Sequence, residues 1–439
     1  MDASPNTLAF PAAGGGKPSV VFVNRSYWPD VEATGQLLTE LAEDLRADFD
    51  VSVCCGLPNV TTGDGGEDPS HADRRGVSID RVRHTRFSKR TLAGRLVNFV
   101  TFAAGVGWKL LTGRRPDLYV AETDPFLLPP LVAAVAAVRR RPFVCYLQDL
   151  QPGVAVAVGV TPAGGVAARV MTWLADFAYR RAAKVVVLSS DMADTVVARG
   201  VPRSRIEVVP NWADTASIRP AASADVRAVK SRMGLHGTVV MHSGNMGLTQ
   251  RLETTLDAAA ILQKSADPLA RAVTFALVGD GAKRASLESR AAELGLANVR
   301  FLPYQPKQTL AAAFGVAELH LISTDPDAIR HLMPSKLYGI LAAGRPVLAV
   351  APAWCELART VAGEGVGVFV EPGDPRELAS AILRSLRDRD ESRARGLRAR
   401  ALAEAEYDRR VVTARFGRLL ASVLGEETAA YDLSSRRAA

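Results

Sequence analysis

The sequence predicts an α/β protein built from two doubly wound domains that face each other across a cleft. Three observations lead there. At 439 residues the chain is longer than a single hydrophobic core usually serves. Its apolar runs are short, β-branched and continuous rather than alternating, the pattern of strands covered on both faces, and hence of parallel sheets. These runs alternate with helical patterns, and the alternation occurs twice.

In the first half, the strand candidates are Ser19–Asn24, Asp50–Cys55, Ser78–Arg83, Asp117–Ala121, Pro142–Leu147 and Ala183–Leu188. One helix between them is plain, with Leu37, Leu38, Leu41, Ala42 and Leu45 on one face and Glu40, Glu43 and Asp44 off it. The second half repeats the plan with Thr238–Ser243, Val273–Val278, Asn298–Leu302, Glu318–Ser323, Pro346–Val350 and Val366–Val370. The division is a lead at 1–17, a first domain at 18–212, a linker at 213–237, a second domain at 238–405, a C-terminal helix at 406–425 and a frayed tail at 426–439. In such folds ligands lie at the carboxyl ends of the strands.

A hydrophobic fraction of 48% excludes a disordered chain. Cys54, Cys55, Cys145 and Cys355 have no metal-ligand spacing and suit reduced, packed thiols, so the expected compartment is the cytoplasm. The longest apolar run, Phe126–Val138, has 13 residues and contains Pro129 and Pro130, too short to span a bilayer. The net charge of +8 suits an anionic partner, and no zinc spacing or RNA-binding aromatic signature points to nucleic acid.

Three segments carry chemistry. His242-Ser243-Gly244-Asn245-Met246-Gly247 follows a strand, where glycines expose backbone amides to anionic oxygens, and Arg251 follows. Val278-Gly279-Asp280-Gly281 lies at another strand end, with Lys283 and Arg284 beyond it. Met333-Pro334-Ser335-Lys336-Leu337-Tyr338-Gly339 reads as a loop entering a helix that ends at Ala343-Gly344-Arg345-Pro346. A lysine in a first helical turn opposes the helix dipole, which favours an anion beside it. Each glycine segment alone also reads as an ordinary βα turn, and Lys336 as a solvated surface lysine. In the first half, Tyr27-Trp28-Pro29-Asp30 precedes Ala33-Thr34-Gly35-Gln36, and Gln148-Asp149-Leu150-Gln151-Pro152 ends a strand.

The ordered set resembles the retaining GT-B glycosyltransferases of family 4, in the bacterial branch of exopolysaccharide, colanic acid and O-antigen assembly. The resemblance covers roughly residues 18–425. It implies two Rossmann-like domains, a nucleotide-sugar donor with UDP favoured over GDP, a saccharide acceptor and no cofactor or metal. It also implies site roles: Gly35 against the donor phosphates, Ser243, Gly244, Asn245, Gly247, Gly279 and Gly281 lining the donor site, and Pro334, Ser335 and Lys336 beside them. Arg251 and Lys336 would meet the diphosphate, Pro303 and Tyr304 the base, and Asp149 the reacting sugar. The family pattern carries two glutamates eight positions apart, the second five residues before the helix glycine. Here those positions are His331 and Gly339, so the donor is expected to be held through phosphates and base more than ribose.

Asp325-Pro326-Asp327 has metal-like spacing but is constrained by its proline. Residues 87–115 mix Phe99, Val100, Phe102, Val106 and Trp108 with Lys109, Arg114 and Arg115, which suits a helix lying on an anionic membrane and a lipid-linked acceptor. Two other readings use the same nucleotide site: an epimerase, for which His242 and His331 are the well-placed histidines, and a non-catalytic nucleotide-sugar-binding protein.

Overall fold

A computed structural model describes residues 16–30, 32–58, 71–85, 87 and 92–437. Most of the expected lead, residues 1–15, lies outside them. The chain divides into two compact units. The first comprises the residues up to Pro152, then Thr161–Pro210, then those from Val412 onward. The second comprises Gly153–Val160 and Asn211–Val411.

The first unit holds an eight-stranded sheet: β1 (Ser19–Val23), β2 (Asp50–Gly56), β3 (His71–Arg74), β4 (Val77–Val82), β5 (Leu118–Ala121), β6 (Phe143–Tyr146), β7 (Lys184–Val187) and β8 (Ile206–Val208). The order is β3-β4-β2-β1-β5-β6-β7-β8. All pairs are parallel except the β3–β4 hairpin. The hairpin turns at Arg75 and Gly76, both at positive φ, which matches the twist of the strands it joins. The continuous apolar runs form the six expected strands. Sequence pattern missed β3, a charged edge strand, and β8, which has only three residues.

The second unit has six parallel strands: β9 (Thr238–Ser243), β10 (Val273–Val278), β11 (Val299–Leu302), β12 (Leu319–Ser323), β13 (Val347–Val350) and β14 (Gly367–Val370), in the order β11-β10-β9-β12-β13-β14. Both faces are covered. Val240 packs with Leu256, Ala259, Leu262, Leu378 and Ile382, while its neighbours Val239 and Met241 face Val229, Leu235, Ala313 and Val316. That two-sided burial is why the middle of β9, Val239–Met241, is apolar at every position. The stretch read as a linker contains a helix, Ser223–Arg232, which supplies Val229 to this core.

The C-terminal helix runs from Arg409 to Arg437, through the stretch read as a frayed tail. From Val412 it belongs to the first unit. Its Phe416 is fully buried, with its ring 4.9 Å from that of Tyr146 on β6 and 6.3 Å from that of Phe22 on β1. Thr413 Oγ1 donates to Asp44 Oδ2 at 3.0 Å, and Val412, Leu420 and Val423 are also buried.

Replacing Phe416 with Ala should remove about 3–5 kcal/mol of stability. Hydrogen exchange should show the amides of β1 and β6 losing protection while those of β9 and β12 keep theirs.

Candidate functional site

The second sheet reverses its winding between β9 and β12. From β9 the chain proceeds outward to β10 and β11, and from β12 it proceeds the other way to β13 and β14. The carboxyl ends of such a pair splay open into a crevice. β9, β10 and β11 end in register, with Ser243 beside Val278 and Val278 beside Leu302. The two glycine turns are therefore neighbours.

They are also interlocked. Gly244 N–H donates to Val278 O at 2.8 Å, Met246 N–H to Asp280 O at 2.8 Å, and Lys283 N–H to Met246 O at 3.0 Å. Gly279 sits at φ +140° with the carbonyl oxygen of Gly244 where a side chain would start, and Gly281, at φ +152°, meets Asn245 Oδ1 and Met246 O the same way. Only glycine allows this conformation and this closeness together. Gly247 N–H donates to Gln250 Oε1 at 2.8 Å, which shapes the exit from the turn.

Lys336 reaches this double turn from the helix Lys336–Ala342. A Cβ on Gly244 would lie 3.3 Å from Lys336 Cε and 3.4 Å from Nζ, so the glycine leaves room for the amine. The amine lies 3.0 Å from Nε2 of His242. Burial pushes the Lys336 amine down to about 7. Burial, then the Lys336 charge, holds His242 well below the usual imidazole range. An ammonium can only donate, so when Lys336 is charged Nε2 of the neutral ring accepts and the ring proton is assigned to Nδ1; Nε2 also lies 3.4 Å from Asn245 O.

The other expected residues fall around this centre. Arg251 Nε donates to Asp325 Oδ2 at 2.7 Å. Asp325 Oδ1 accepts from the backbone of Asp327 and Ala328, at 2.9 and 3.1 Å, so this carboxylate is spent on a turn and an ion pair. Beside it, a pocket of about 380 Å³ is lined by Ala157, Val158, Leu248, Arg251, Lys283 and Asp325, among others. Pro334 is buried, and Ser335 is exposed with no capping bond from its hydroxyl. Pro303 and Tyr304 follow the edge strand β11 and are exposed. Gly339 points elsewhere: a Cβ there would stand 3.1 Å from the ring of Phe314. A glutamate would have to push into this apolar contact. His331 is packed on Gly153 rather than near His242.

In the first unit, Gly35 lies in the first turn of the helix Ala33–Leu45, where a Cβ would stand 3.3 Å from the Ser26 backbone. Asp149 follows β6 and accepts from Gln151 Nε2 at 3.1 Å. Burial raises its carboxyl, Thr123 and Gln151 oppose this by hydrogen bonding, and Asp124 adds to it. Glu122, directly after β5, is a functional candidate that the sequence reading missed. It is fully buried, and burial together with the Asp124 charge pushes its carboxyl well above the usual range. Its signal was available: a carboxylate next to the wholly apolar run Leu118–Ala121.

Lys336 is held against the preference of the fold. The folded chain releases this proton near pH 7, whereas an unfolded lysine keeps it to about pH 10.4. Wild-type stability should therefore rise from pH 7 toward 10, because the unfolded state binds the extra proton there. Lys336→Met should raise the Tm of the ligand-free protein, by most below pH 7 and by progressively less above it.

Residues 33–212 match the glycosyl transferase 4-like domain, and residues 237–388 match the glycosyl transferases group 1 domain. WcaI of Escherichia coli K12, named as a colanic acid biosynthesis glycosyl transferase, is 27% identical over 82% of this chain and 90% of its own. WbjE of Pseudomonas aeruginosa, named as a glycosyltransferase, is 27% identical over 61% of this chain and 66% of its own. The crystal structure of Anabaena HepE in complex with UDP superposes with a TM-score of 0.67 at 19% identity, covering 92% of this chain and 100% of that one. Two parallel-sheet domains, each with its own match, settle the assignment: the chain belongs to the glycosyltransferases of GT-B fold.

Proposed function

We propose that this glycosyltransferase takes a sugar from a nucleotide diphosphate donor, with UDP-sugars favoured, and adds it to a saccharide during assembly of a surface polysaccharide. The observation that carries the reading is the convergence of two interlocked glycine turns and a half-buried lysine at the point where the second sheet reverses its winding. Backbone amides and a desolvated cation together suit a diphosphate. The UDP bound by HepE and the colanic acid pathway named for WcaI support the donor and the product class.

In this reading the bond between the anomeric carbon and the diphosphate oxygen breaks, and the acceptor hydroxyl bonds to that carbon on the same face. Lys336 takes up the charge that develops on the leaving diphosphate, with Arg251 as a second cation once the diphosphate draws it from Asp325, so the mechanism needs no divalent ion. Asp149 is the base or charge stabiliser near the acceptor hydroxyl, and burial suits it to hold a proton. Ser243, Asn245, Gly247 and Ser335 line the donor, Pro303 and Tyr304 hold the base, and Gly35 approaches the phosphates. With Gly339 turned to Phe314, the ribose receives no carboxylate from that position.

The acceptor is proposed to be lipid-linked. Among the described residues no helix is long and apolar enough to cross a membrane. The helix Leu92–Thr112 instead buries Phe102, Val106 and Leu110 and exposes Leu96, Val100, Trp108 and Leu111 on its other side. The helix Val166–Arg181 exposes Val166, Val170 and Trp173. Residues 87–116 contain no acidic side chain, and Arg114, Arg115 and Arg139–Arg141 lie in and near this stretch. Apolar and basic groups in one layer suit an anionic lipid surface.

A panel of UDP- and GDP-sugars with a lipid extract should show nucleotide released only with the correct donor and acceptor; an isomerised free sugar nucleotide would indicate an epimerase instead. Asp149→Asn should lower turnover by about 10²-fold or more while leaving UDP affinity within about twofold. Flotation with anionic vesicles should recover the wild type, and Trp108→Glu with Trp173→Glu should leave it in the bottom fraction.

A further inference from the structure

Lys336 is a half-buried amine whose polar partner carries no charge. Its Nζ lies 3.0 Å from Nε2 of His242, a ring that is 1% exposed on β9. The other basic groups around these strand ends are already engaged. Arg251 holds Asp325 at 2.7 Å, Lys283 holds Glu253 at 2.6 Å, and Arg284 donates to Gly279 O at 2.7 Å. The acidic groups are engaged too: Asp325 with Arg251, and Asp280 with the N–H of Gly281 at 2.8 Å. From the neighbouring strand β12, His320 acts on His242, but burial lowers it to about 4, so it is a neutral ring bonded to Phe314 O at 2.9 Å.

The choice of a neutral partner has a physical consequence. A carboxylate at position 242 would form a buried ion pair that an arriving anion would have to break. A neutral imidazole acceptor fixes the direction of the amine without cancelling its charge. Gly244 completes the arrangement, because its missing side chain leaves the amine facing the turn.

We propose that His242 is a positioning residue for the donor: it accepts a hydrogen bond from Lys336, aims the amine across Gly244, and leaves its charge uncompensated for the diphosphate, so that nucleotide binding draws a proton from solvent onto Lys336. This inference rests on the donor-site reading above. The proton balance is simple. In the empty site above pH 7 the amine is largely –NH2; the diphosphate, dianionic in the sugar donor and trianionic in free UDP at pH 8, stabilises –NH3+, and the added proton comes from buffer. Release of the nucleoside diphosphate returns it.

The test is titration calorimetry of the full chain with UDP, at pH 6.5 and pH 8, in two buffers of unlike ionisation heat. The wild type is expected to take up close to one proton per UDP at pH 8, and Lys336→Arg, whose guanidinium stays charged, to take up none. His242→Phe is expected to weaken UDP at least about tenfold at pH 8 and much less at pH 6.5. His242→Asn, which keeps an acceptor, is expected to stay within about threefold of wild type at both. Equal proton uptake by wild type and Lys336→Arg overturns the proposal, and this comparison stands even where His242→Phe does not fold. Equal loss at both pH values without rescue by Asn overturns it as well, because that is the signature of a merely structural histidine. Failure of the wild type to bind UDP or GDP overturns the donor-site reading and this inference with it; binding without proton uptake overturns this inference alone.

Discussion

The contact between the backbones of Gly244 and Gly279 sets the geometry of everything around it. Each lies one residue past a strand end, and the carbonyl of one occupies the place where the other would carry a Cβ. No other residue type permits that approach at φ +140°. Because the turns touch, β9 and β10 end level, the loop at Met246 is pinned to Asp280, and the space over Gly244 is left to a side chain from elsewhere in the chain. Lys336 takes that space.

That placement trades stability for readiness. A cation removed from water and faced by a neutral ring is costly to keep, and the fold carries it rather than neutralising it. The first unit shows the same habit with the opposite sign, in Glu122, buried just after β5, and Asp149, partly buried after β6. Both sets lie at the carboxyl ends of parallel strands, where loops rather than the sheet decide what is exposed. Strongly shifted groups gathered at such places are the usual mark of a working site, and ion-pair networks can produce similar shifts. Among the described residues no ion pair explains Lys336 or Glu122.

Much of the fold was legible in the sequence, because strands covered on both sides must be apolar at every position. Val273–Val278 and Val347–Val350 can hardly be read otherwise. β3 escaped because an edge strand has no such requirement, and β8 because three residues carry too little pattern. The glycine turns and Lys336 could be found from their spacing within the chain. The pairing of Lys336 with His242 could not, since 94 residues separate them and only the sheet order brings them together. The division of the units was also hidden in part. Nothing in the local pattern of residues 153–160 indicates that they group with the second unit, nor that the chain rejoins the first from Val412.

That return has a temporal side. Phe22 and Tyr146 precede the second unit in the chain, yet the ring that packs on them, Phe416, follows it. The whole second unit is synthesised in between. At about 5–20 residues per second, some 10–40 seconds pass before the N-terminal sheet can close that face. During that interval the rings of Phe22 and Tyr146 lack the aromatic partner that covers them in the folded chain. The sheet whose strands are made before the second unit is thus closed only after that unit has been made.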